Sequence, residues 1–162
     1  MTSPVDTFEL FAELSLALAG FTGVAASFGG RDRDFRPMER RRVSGVFMFA
    51  TVALAEALLV ISLAHSGIQE SRIYATSSAA SCLLSLGLAV LLVPPVFRLY
   101  RAEDVTTSGR FIAIAITYFT TLIMFFFWAA LFERESWPLV VGISAQLLWG
   151  LWLFARLLLR PN

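Results

Sequence analysis

Apolar residues in this chain run on in long blocks, broken by short polar connectors. Five blocks approach the ~20 mostly apolar residues that a helix needs to cross the hydrocarbon of a bilayer. They cover residues 8–28, 43–65, 75–97, 111–132 and 139–159. The third and fourth carry no charge. The first opens with Glu9 and Glu13, the second is interrupted only by Glu56, and the fifth holds Arg156 close to its end. The pattern predicts an all-α, polytopic transmembrane helical bundle of five spans, a single transmembrane domain over 1–162. The alternative is four spans plus an interfacial or re-entrant N-terminal helix, because two glutamates weaken the first block.

Composition agrees with that reading. Apolar residues make up 57% and charged residues 15%, against about 45–50% and about 25% in ordinary globular chains. The thirteen basic residues are all arginine, a usage that fits a GC-rich bacterial genome. With five spans, Arg31, Arg33, Arg36, Arg40, Arg41, Arg42, Arg98, Arg101, Arg110, Arg156 and Arg160 share one side, and only Arg72 and Arg134 fall on the other. Positive charge is retained on the cytoplasmic side. The expected arrangement is therefore a bacterial inner membrane, N-terminus outside and C-terminus cytoplasmic.

Carboxylates inside the blocks ask for a reason, because an acid at the centre of a spanning helix costs about 2.5–3.5 kcal/mol on insertion scales. Glu56 and Glu13 both belong to the outer half of the bilayer. At 100° per residue Glu9, Glu13, Ala17, Gly20, Val24 and Ser27 form one stripe of the first helix. The third helix has a polar stripe of Tyr74, Ser78, Ser81, Cys82 and Ser85, and the fourth contributes Thr117, Thr120 and Thr121. Such stripes are either satisfied between helices or line a pathway. In a symmetric oligomer one glutamate per chain becomes a ring, and acidic rings favour cations. Glu9, Glu13, Glu56, Ser78, Ser81, Ser85, Thr117 and Thr121 are the candidate pathway residues. The competing role for Glu56 is a hydrogen bond that holds the bundle together.

The arginines of the first and third connectors make a second constellation. Arg31, Arg33, Arg36, Arg40, Arg41, Arg42, Arg98, Arg101 and Arg110 would form a basic collar under the bilayer. It can set topology, hold anionic lipids, or bind a phosphate-rich ligand such as a nucleotide or short oligonucleotide. The interspersed Asp32, Asp34 and Glu39 argue against nonspecific nucleic-acid binding.

His65 is the only histidine and Cys82 the only cysteine. His65 fits a cap on the outer end of the second span, and Cys82 a small packing residue. Pro94-Pro95 are expected to end the third helix before Arg98. The tryptophans suit interfacial belts, with Trp149 and Trp152 somewhat deeper. There is no phosphate-binding glycine loop, no paired-histidine motif and no aspartate in any block. These absences point away from an enzyme, and no cofactor or metal is expected.

AELSLALAGFTGVAASFGGR (12–31), followed by a basic segment and RRRVSGV (40–46), resembles a broad group of small multi-span bacterial membrane proteins. Some proteins of this kind are membrane effectors of anti-phage defence, the Hailong-type effector among them. The motif covers less than a quarter of the chain. The resemblance implies an oligomeric channel opened by a nucleotide-derived ligand, and it reaches only Glu13 and the Arg31–Arg42 segment. The expected function is thus a homo-oligomeric cation channel, gated by an anionic cytoplasmic ligand and depolarising the membrane. The alternatives are a non-conducting accessory subunit or a small transporter.

Overall fold

The computed structural model describes residues 4–32, 37–101, 109–133 and 135–158. Its elements are five helices: α1 Pro4–Asp32, α2 Pro37–Ala64, α3 Glu70–Arg101, α4 Gly109–Phe132 and α5 Trp137–Leu158. The shortest has 22 residues, about 33 Å at 1.5 Å per residue. All five are long and apolar enough to cross a membrane. Helix is the form that segments of this composition must take there, because it satisfies every backbone group within the segment. The protein is a multi-pass helical membrane protein, and its first segment is a continuous helix of full spanning length.

Local sequence sets the helix ends. Pro4 and Pro37 occupy first helical positions, where a missing N–H costs nothing. After α2, Gly67 takes φ +72°, and His65 Nδ1 lies 2.8 Å from the Ile61 carbonyl, which places the histidine at the helix end as the sequence suggests. Pro94-Pro95 do not end α3, which continues to Arg101. The cost of the two prolines is local: the carbonyls of Val90 and Leu91 lose their α-helical donors. The helix goes on because the apolar residues on either side still gain by packing and by lying in lipid.

Helices α2 and α5 pack against each other at the centre. Helix α1 closes one side of this pair, and α3 with α4 close the other; α3 packs on α2, and α4 on both α3 and α5. Close approach of α2 and α5 depends on small residues. Ala50, Ala53 and Ala57 of α2 are buried, as is Gly150 of α5, which lies against Phe49. Gly142 of α5 serves the contact with α4, because a Cβ there would clash with the Phe126 ring. Two apolar clusters fill the interior, one around Phe8, Val60, Phe126 and Ile143, the other around Leu18, Phe49, Phe119 and Leu153. The second lies toward the arginine-rich end, where α2 and α4 begin and α3 and α5 finish.

Candidate functional site

Between the apolar clusters the bundle holds a polar centre. Glu56 of α2 is fully buried, as is Gln146 of α5. Gln146 Nε2 donates to Glu56 Oε1 at 3.0 Å and Oε2 at 3.1 Å, and lies 3.4 Å from Ser85 Oγ of α3. Ser81, one turn before Ser85, borders the same carboxyl, but its hydroxyl completes no hydrogen bond. Tyr118 of α4 is close enough to feel the carboxyl charge. Four helices therefore meet at one carboxyl group.

The local sequence explains the meeting. Gly142, Gln146 and Gly150 are spaced by four residues and share one face of α5. Gly150 lets α5 come close to Phe49 of α2, and Gly142 leaves room for the Phe126 ring of α4. On α3, Ser78, Ser81 and Ser85 are buried together with Ser77. No arginine pairs with Glu56 among the described residues. Its shell can serve either protonation state: the amide N–H and nearby hydroxyls donate to a carboxylate, and a carboxylic acid can donate to a serine oxygen or to the Gln146 carbonyl. That carbonyl oxygen, Ser77 Oγ, Ser81 Oγ and the Tyr118 hydroxyl are buried without a partner. Such a shell has capacity to spare.

The structure separates the other sequence-derived candidates. Glu9, Glu13, Ala17, Gly20, Val24 and Ser27 are all exposed and occupy one outward face of α1. Nothing lies within 4 Å of a Cβ placed on Gly20. The inward hydroxyls of α1 are spent locally, Ser15 on the Phe11 carbonyl at 2.7 Å and Thr22 on that of Leu18 at 2.7 Å. Thr117 and Thr121 are exposed on α4, which does not pack against α1. Within one chain, then, Glu56, Ser78, Ser81 and Ser85 come together inside the bundle. Glu9 and Glu13 stand on one outer face, and Thr117 and Thr121 on another.

Arg40, Arg41, Arg98 and Arg110 are exposed, and Arg42 is half-buried. All belong to the same end of the bundle. Arg31 and Arg101 fall in the last turns of α1 and α3, whereas Arg33 and Arg36 lie outside the described residues. Arg156, in the last turn of α5, lies near Arg42 and covers the Trp152 ring at 5.0 Å. Among the described residues no group of three or more His, Cys, Asp or Glu side chains is placed to hold a metal.

Gln146 is the residue that reasoning from sequence missed. It is the only amide in the five apolar blocks, and glycines four residues to either side were the available signal. No protein-family model matches the chain, and no curated protein or solved structure matches it either.

Proposed function

We propose that the protein is a homo-oligomeric membrane channel whose pathway is lined by the α1 faces of neighbouring copies. Glu9 and Glu13 supply its acidic rings. The exposure of both glutamates on a face that no other helix of the chain covers carries this reading. A carboxyl group directed at hydrocarbon is costly, and a water-filled pathway between symmetry-related helices removes that cost. Ala17 and Gly20, one and two turns further in, leave room for a water column along the same face. Rings of carboxylates select cations. Glu56 is placed differently: its hydrogen bonds run inward, so it pins α2 to α5 and does not line the pathway.

The arginine-rich end is cytoplasmic on this reading, following the charge bias of the connectors. Arg40, Arg98 and Arg110 stand exposed there, and a nucleotide or short oligonucleotide is the class of anionic ligand that fits them. Ligand binding opens the pathway and depolarises the membrane, as the resemblance to anti-phage effectors implies. The test is cation flux from liposomes containing the purified protein, with and without nucleotides. Glu13→Gln should lower the preference for cations over anions, and Glu56→Gln should leave it unchanged. Vesicles that stay tight under every nucleotide, around a protein that is monomeric in the bilayer, would refute the channel.

The internally bonded Glu56 favours a second reading, a non-conducting membrane subunit whose α1 face binds a partner helix. Glu13→Gln would then weaken association and move no current.

A further inference from the structure

At the arginine-rich end, α2, α3, α4 and α5 do not close on one another. They leave a half-open cavity of about 60 Å³ that continues into an open groove. Its walls are almost wholly apolar, with Gly45, Val93, Phe111, Ala115 and Leu153 among them. Its floor is aromatic: Phe49 stacks on Phe119 at 5.8 Å, and Trp149 stacks on Tyr118 at 4.4 Å. From Arg41 to Phe49 is eight residues of α2, about 12 Å along the helix.

Two arginines stand in the wall of this apolar space, Arg41 exposed and Arg42 half-buried. Arg156 adds a third charge next to Arg42. Bringing cations together at the lip of an apolar groove is unfavourable unless an anion joins them. A ligand that satisfies both parts has an anionic head and a hydrocarbon tail. In a membrane protein, with both arginines in the opening turns of a helix long and apolar enough to span, the ligand at hand is a phospholipid.

We propose that this groove is a binding site for one anionic phospholipid. Its phosphate sits on Arg41 and Arg42, and one acyl chain enters between α2 and α4 toward the Phe49–Phe119 floor. A small soluble anion would use only the arginines and leave the apolar walls uncovered. The site is separate from the α1 face and does not depend on whether the protein conducts.

The groove-lining Trp149 gives a direct readout. The purified protein is placed in micelles doped with brominated phosphatidylglycerol or with brominated phosphatidylcholine of the same chains. Bromine quenches tryptophan on contact, and the part of the quenching lost in Trp149→Phe belongs to the groove. The wild-type protein should prefer phosphatidylglycerol by about fivefold for each arginine at the mouth. Arg41→Gln with Arg42→Gln should bring the two lipids to parity, whereas Arg40→Gln with Arg98→Gln, an equal loss of charge at the same end but outside the groove, should not. Ala115→Phe should fill the groove and reduce Trp149 quenching by both lipids. Native mass spectrometry of each detergent-purified variant, counting lipids retained per chain, supplies a second measurement. Equal quenching by the two lipids in the wild type would overturn the proposal. So would an equal loss of preference in the Arg40→Gln, Arg98→Gln double variant, or undiminished Trp149 quenching in Ala115→Phe.

Discussion

Replacing Gln146 with leucine keeps the side-chain size nearly constant and removes the amide that holds Glu56. The carboxyl then loses both of its hydrogen bonds, at 3.0 and 3.1 Å. It cannot recruit water easily, because Glu56 has no exposed surface. Leaving a buried polar group without its partner costs about 1–3 kcal/mol. Hydrogen bonds between membrane helices measure lower, about 0.6 kcal/mol on average and up to about 1.7. The paired geometry and complete burial put Gln146→Leu near the top of that second range, at about 1.5 kcal/mol. Glu56→Leu should cost a similar amount by stranding the amide. The double variant replaces both partners by apolar groups of similar shape and should cost much less than the sum. The assay is reversible unfolding in mixed detergent micelles, run as a double-mutant cycle. The expected coupling is about 1 kcal/mol or more. Single effects that add to within about 0.3–0.5 kcal/mol would refute the interaction as a source of stability.

Two further perturbations test the packing and the turn. Gly142→Ala places a methyl group where the Phe126 ring now lies; Phe126 is fully buried, so the variant should lose about 1–3 kcal/mol by overpacking, checked by the same unfolding assay. Gly67→Ala forces a side chain into φ +72° and should cost about 1 kcal/mol; Gly67→Asn, which tolerates that conformation better, should recover part of it in the same measurement.

Much of this molecule is legible in the sequence, for a physical reason. A bilayer imposes length and apolarity on each span, so Phe8 to Phe28 and the four later blocks announce themselves. The α1 face is legible too, because Glu9, Glu13, Ala17 and Gly20 obey a 100° period that needs no knowledge of the neighbours. What was hidden depends on partners distant along the chain. Glu56 and Gln146 are ninety residues apart, and only the packing of α2 on α5 brings them together. A glutamine in an apolar run carries no charge to draw attention, so its role emerges with its partner. The groove behind Arg41 and Arg42 draws its walls from four helices and has no local motif. Pro94-Pro95 misled for a related reason: proline chemistry argues for a stop, but packing and lipid on both sides keep α3 helical.

The outward face of α1 decides between a water-filled pathway and a surface in lipid. Single cysteines at Ala17 and Gly20, in a Cys82→Ser background, can be exposed to a charged, membrane-impermeant thiol reagent in reconstituted vesicles. Leu83→Cys is the control, since Leu83 is 70% exposed on a helix with no proposed part in the pathway. Rapid modification of Ala17→Cys and Gly20→Cys beside an inert Leu83→Cys is the expected result. If Ala17→Cys and Gly20→Cys are as inert as Leu83→Cys, the face lies in hydrocarbon or against a partner helix, and the channel account is wrong.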